Sequence, residues 1–161
     1  QVLAAARARE NGGGVPEMIK AAEKVRGKLS QVVLLDSLSF LHRGGRIGTA
    51  KRLLGSVLSI KPLVKINHKL GIVEDAGQAR TRKRGINLLQ ELFVEGLHDH
   101  KSLRIGVLHG AAEEEARQIA GQLQERFQPL ELIQTITGPV LGVNTGPRAL
   151  AICGYSEEPL D

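Results

Sequence analysis

The sequence predicts an α/β domain of two layers, built on a six-stranded mixed sheet with helices mainly on one face. Three observations predict it. Short strand-forming runs alternate with segments whose apolar residues recur at helical spacing. Two of the runs are separated only by Asn67-His68-Lys69, which suits a hairpin and so an antiparallel pair. A long helical segment separates the runs Leu103–Leu108 and Leu130–Ile136, and such a crossover favours parallel pairing.

Taken in order, Val2–Glu10 is rich in alanine and arginine and predicts a helix, ended by Asn11-Gly12-Gly13-Gly14. Pro16 stands in the first turn of a second helix carrying Met18, Ala22, Val25 and Leu29. Gln31–Leu35 is a short buried strand. Asp36 or Ser37 can cap a helix with Leu38 and Leu41, which runs into Gly44-Gly45. Thr49 can cap the next helix, whose Ala50, Leu53, Leu54, Val57 and Leu58 share a face, and Lys61-Pro62 closes it. Strands follow at Leu63–Asn67 and Leu70–Asp75. The run Arg80–Arg84 enters a helix with Ile86, Leu89, Leu92, Phe93 and Leu97. Ala111–Phe127 is the clearest helix, with Glu113, Glu114 and Glu115 at the positive end of its dipole. After Pro129 comes the strand Leu130–Ile136, then Thr137–Pro147 with room for one short helix. Arg148–Ile152 is the last strand and Tyr155–Asp161 a polar tail.

Composition narrows the function. The chain has 161 residues, a formal net charge of +5 and no tryptophan, with aromatics at 2%. Base-stacking platforms need aromatic rings, so no nucleic-acid partner is expected despite the basic balance. The single cysteine, Cys153, excludes an internal disulfide and suggests a reducing, cytoplasmic compartment. No apolar run reaches the length of an integral membrane segment. The chain starts at Gln1 and its only methionine is Met18, so a longer parent is expected.

Gly44-Gly45-Arg46-Ile47-Gly48 organises the middle of the chain. It has neither Walker A spacing nor a dinucleotide fingerprint. Arg46 either caps a carbonyl at a helix–helix turn or is presented to an anion. Arg80–Arg84 is either a solvated face or, because cations oppose the dipole at a helix start, a surface for an anionic partner. Gly138–Pro147 is either a crossover loop or a cleft wall with Asn144 and Thr145 as donors. Beyond His98 and His100, which lie near a helix end in a polar loop, no histidine has metal-ligand spacing; Cys153 lies in an apolar strand without a base, and no nucleophile–base pair is evident.

The segments Asp36-Ser37-Leu38, Leu41–Ile47, Leu54–Pro62, Ala79–Lys83, Gly138-Pro139-Val140 and Asn144–Pro147 occur in the order of the DegV family, and the chain resembles its second domain. The resemblance implies that residues 1–30 are linking helices continuing from a missing first domain, and that residues 31–161 are the second domain. It implies a long-chain fatty acid held between two domains, with no cofactor. The carboxylate is held largely by hydroxyls of the first domain, and the tail tunnel lies mostly outside this chain. Gly45, Arg46, Ile47, Asn144 and Thr145 are the candidate ligand-binding residues, and Arg46 and Arg82 the candidate partner-docking residues. Asn144 stands where the family carries histidine, and Arg148 where its loop ends in glycine; Asn donates a hydrogen bond but holds no proton charge. The implied role is non-enzymatic: the protein presents the carboxylate to a separate fatty acid kinase subunit, which forms the acyl phosphate. The alternatives are a phosphotransferase subunit related to dihydroxyacetone kinase, or a basic nucleic-acid-binding domain. An apolar cleft face, otherwise covered by the first domain, is expected to be exposed.

Overall fold

The structure, a computed structural model, describes residues 1–54 and 60–157. Among them, β1 (Ser30–Leu34), β2 (Lys61–Asn67), β3 (Ile72–Ala79), β4 (Leu103–His109), β5 (Glu131–Ile136) and β6 (Leu150–Ser156) form one sheet in the order β3-β2-β1-β6-β4-β5. Only β4 and β5 run parallel, as the intervening helix predicts; the other neighbours are antiparallel.

The sheet separates two cores. On one face lie the two long helices that follow β3 and β4, α4 (Arg82–Glu95) and α5 (Glu113–Phe127). Their inner residues Leu89, Phe93, Ala116, Ile119 and Leu123 pack on Val32, Leu34, Leu63, Ile105, Val107, Leu150 and Ile152. Side chains alternate along a strand. The intervening residues Val33, Leu35, Val64, Leu108, Ala149 and Ala151 therefore face the other way. That second face is covered by α3 (Ser39–Arg43), a 3-10 helix (Gly48–Leu53) and α6 (Pro139–Thr145), through Leu38, Leu41, Ile47 and Ala50. So the long helices keep to one face, as predicted, and the other has only short pieces.

The first two helices, α1 (Val2–Glu10) and α2 (Val15–Lys28), pair with each other, and α1 buries none of its residues. Arg7 ties α1 to Glu131 at the start of β5, and Arg104 reaches both Glu131 and Glu157.

Several boundaries differ from the sequence reading, each for a local reason. The hairpin turn is closed by Asn67, whose Oδ1 accepts from the backbone N–H of Lys69 and Leu70 at 3.0 Å each. Gly71 adopts positive φ there, so Leu70 is left outside the strand. β3 continues through Gly77 to Ala79 because the register against β2 shifts between Leu63 and Val64. β6 runs on through Tyr155 rather than ending at Ile152, because Gly154 leaves room for Phe93: a Cβ at Gly154 would lie 3.0 Å from the Phe93 ring. The helix expected after Thr49 is a 3-10 turn, with no capping bond from a side chain. Its predicted apolar positions Val57 and Leu58, and the end of the predicted polar tail, lie outside the described residues.

Candidate functional site

The second face of the sheet is the floor of a cavity of about 710 Å³. This falls within the roughly 300–1,000 Å³ range of ligand pockets. Floor and walls are aliphatic: Val33, Leu35, Leu41, Val64, Val73, Leu108, Ala149 and Ala151 contribute. The signal was present in the run Val32-Val33-Leu34-Leu35, since a strand without polar alternation must be covered on both faces.

Polar groups gather where β1 ends and β6 begins. The chain leaves β1, forms α3, and turns at Gly44-Gly45. Gly45 has φ +67°, which a side chain would oppose. Gly44 is needed for closeness, since a Cβ there would stand 2.2 Å from Asn144 Oδ1. α3 and α6 therefore meet through a glycine, and Arg46 and Asn144 share one hollow with Thr145 and Thr137.

The roles within that group differ. Arg46 is exposed, and its Nη1 donates to the Gly44 carbonyl at 2.8 Å. This is the carbonyl-capping reading; Arg46 also lines the cavity, and its guanidinium has five N–H donors, so others are left for a further acceptor. Asn144 Nδ2 donates to Val140 O at 3.0 Å, which leaves its second N–H available. Thr145 is buried, and its hydroxyl donates to Leu141 O at 3.1 Å, so it offers a ligand no proton. Gly45 and Ile47 do not line the cavity: Gly45 makes the turn, and Ile47 is buried in the second core. Val140 and Val143 of α6, with Ile136 before it, are exposed, as the reading of an uncovered apolar face anticipates.

Arg82 lies elsewhere, in a network at the starts of α4 and α5. Its Nε and Nη2 grip Glu115 at 3.0 and 2.7 Å, and its Nη1 approaches Asp36 at 3.4 Å. Lys61 joins Asp36 at 3.0 Å, and Arg148, at positive φ, reaches both carboxylates at 3.7–3.9 Å. The Arg82 hydrogen bonds hold the Glu115 carboxyl below its ordinary value of 4.5, against the opposing effect of burial. A lowered carboxylate contributes stability that is fully present above about pH 4.5 and lost as the pH falls through the lower folded value. Arg82→Met should cost about 1–3 kcal/mol, less than the roughly 3–5 kcal/mol of a fully buried pair, because the Glu115 side chain stays 25% exposed. Acid unfolding curves of the two proteins check this. The variant should lose the part of the acid limb below pH 4.5, and curves of identical shape would refute the assignment.

Cys153 also faces the cavity, with its sulfur packed against Gly106. Burial pushes its thiol up, so at neutral pH it is a protonated, weak nucleophile. Among the described residues no group of three or more His, Cys, Asp or Glu could hold a metal ion, and no helix is long and apolar enough to cross a membrane.

Comparison with known proteins bears on what fills such a cavity. A family model described as "Uncharacterised protein, DegV family" matches residues 1–157. Protein DegV of Bacillus subtilis is 33% identical over 152 residues, which cover 94% of this chain and 53% of that protein. A DegV domain-containing protein of Streptomyces coelicolor is 37% identical over 151 residues, or 93% of this chain and 53% of that one. The chain spans about half the length of the curated relatives it matches. Among solved structures, a DegV family protein from Thermus thermophilus, described by its fatty acid binding, superposes with a TM-score of 0.87 at 28% identity, covering 96% of this chain and 55% of its own. DegV from Bacillus subtilis, described as a fatty acid binding protein, gives 0.77 at 31% identity, covering 94% and 54%.

Proposed function

This chain belongs to the DegV family, and from that membership we propose that its cavity holds the tail of a long-chain fatty acid, with the carboxylate at the Arg46–Asn144 end. The observation that carries the reading is the cavity itself: about 710 Å³ with a largely aliphatic wall and the exposed guanidinium of Arg46 in its lining. Burying a tail contributes roughly 0.8 kcal/mol per methylene, before the costs of ordering it. A hydrogen bond adds only about 1 kcal/mol. The hydrophobic term therefore sets the affinity, and Arg46 and Asn144 set the direction of the chain.

In this proposal the protein carries out no bond-making step. It presents the carboxylate to a separate ATP-dependent kinase subunit, which forms the acyl phosphate. Arg46 is exposed and can meet the partner directly. Arg82 contributes through the network around Glu115, which holds the adjoining loops in place.

The test uses the full-length protein that carries this chain. Solvent extraction and mass spectrometry should recover close to one fatty acid per protein, and delipidated protein should take up oleate or palmitate. Protein that emerges lipid-free and takes up neither would overturn the reading. Acyl phosphate formation with the kinase subunit and ATP, lost in Arg46→Glu while oleate still binds, would support the presentation step. Unchanged turnover would remove Arg46 from it.

A further inference from the structure

The chain has three phenylalanines, and two of them have a place in the helix-side core. Phe93 is fully buried on α4, and Phe127 packs against the same cluster. Phe40 belongs to neither core. It stands half-buried on α3, beside the polar end of the cavity, and does not line the cavity itself.

What the ring touches explains its place. Phe40 and Gly44 are one helical turn apart, so they share a face of α3 and its cap. That face meets the end of α6, for which α3 is the main packing partner. Phe40 covers Gly146: a Cβ there would stand 2.4 Å from Phe40 Cδ2 and 2.7 Å from Cε2. The Arg43 guanidinium lies over the ring, 4.9 Å from its centroid, and holds it there. Gly146 is closed in at its carbonyl as well, because its oxygen lies 3.0 Å from where a Cβ of Gly110 would be. Its N–H donates to Gly142 O at 2.8 Å and finishes the last turn of α6, and its φ is +76°. The turn is thus held at two points, the Phe40 ring and Gly110. Asn144 lies within that last turn. Its Oδ1 rests against Gly44 and its Nδ2 donates one proton to Val140 O, so the direction of the remaining N–H follows the position of the helix end.

We propose that Phe40 is a positioning residue for the fatty-acid head group: its ring seats the Gly146 turn, and the seated turn aims the free N–H of Asn144 at the carboxylate. The inference rests on the fatty-acid reading above and extends it to a residue that touches no ligand. Without the ring, the helix end keeps only its Gly44 and Gly110 contacts, and the space opened beside Gly146 lets it shift. A hydrogen bond to a carboxylate is directional, so a misaimed donor loses most of it.

The test uses the full-length protein. Dissociation constants for palmitate and for hexadecanol are measured in wild type, Phe40→Ala, Asn144→Ala and the double variant, with Phe40→Tyr as the variant that keeps the ring. Loss of a hydrogen bond to a charged group predicts about 10-fold weaker palmitate binding in Phe40→Ala and in Asn144→Ala alike. The double variant should fall within about 3-fold of either single one, because the two residues act as a unit. Phe40→Tyr should stay within about 3-fold of wild type, since the ring is retained. Hexadecanol, which has the tail without the charge, should bind every variant within about 3-fold of wild type. Should Phe40→Ala misfold, Phe40→Leu, apolar but without a ring, replaces it. Wild-type palmitate affinity in either single variant, losses that multiply in the double variant, a Phe40→Tyr protein as weak as Phe40→Ala, or equal losses for hexadecanol overturn the positioning role and leave fatty-acid binding standing. Failure of the wild type to bind palmitate overturns both.

Discussion

Ala151→Trp is expected to weaken oleate binding on the order of 100-fold while leaving the fold in place. Ala151 lies at the centre of the cavity floor, between Val33 and Leu108 on the neighbouring strands. A methyl there is the floor; an indole would stand up into the space the tail needs. Excluding four methylenes at about 0.8 kcal/mol each removes about 3 kcal/mol, which corresponds to that fold-change. Overpacking a filled core costs about 1–3 kcal/mol, but here the added ring enters a void, so the stability cost should fall at or below the low end of that range. Isothermal titration with oleate, alongside a thermal melt, checks both halves. Binding as tight as wild type would mean that the tail does not lie over the sheet, and the fatty-acid orientation proposed here would fail with it.

The fold was legible because its strongest signals are local. The stripe of α5, the parallel pairing it forces between β4 and β5, and the Asn67 hairpin follow from spacing and turn chemistry. What was illegible depended on contacts between distant residues. The predicted strand stops at Ile152, and β6 continues to Ser156 because Gly154 pairs with Ser30 and Ile105 and leaves room for the Phe93 ring. The reach of β3 to Ala79 depends on a register shift against β2 that no window of sequence contains. The candidate site divides in the same way. The Gly44-Gly45-Arg46 turn and the loop before β6 marked its polar end, and the structure brings Arg46, Asn144 and Thr145 to one hollow. Local sequence gave no sign that the Thr145 hydroxyl is spent on Leu141, that Ile47 points into the core, or that Arg82 is clamped by Glu115. The cavity floor was encoded in runs apolar on both faces, but such runs report that a face is covered, not whether protein or ligand covers it.

Phe93→Ala is the complementary experiment, and it should cost about 3–5 kcal/mol of stability while leaving oleate affinity within about 3-fold. Phe93 is fully buried on the inner face of α4, beneath Gly154, and its carbonyl accepts the Ser30 hydroxyl at 2.9 Å. Truncation opens a void on the helix side of the sheet. β6 cannot close it, because a strand paired on both edges is held by β1 and β4. Domains of this size have about 5–15 kcal/mol in total, so the loss is a large fraction of it and should lower the melting temperature by roughly 10 °C. Yet Ile152 and Leu150, which meet the long helices, alternate with Ala151 and Cys153, which meet the cavity. One strand therefore carries the helical core on one side and the cavity floor on the other. Chemical denaturation with and without saturating oleate separates the two. The oleate-induced stabilisation should be the same size in Phe93→Ala as in wild type, because it depends only on ligand concentration and affinity. If it shrinks in step with the lost stability, the two faces are coupled through the sheet, and a cavity whose shape is independent of the helical core is the wrong description.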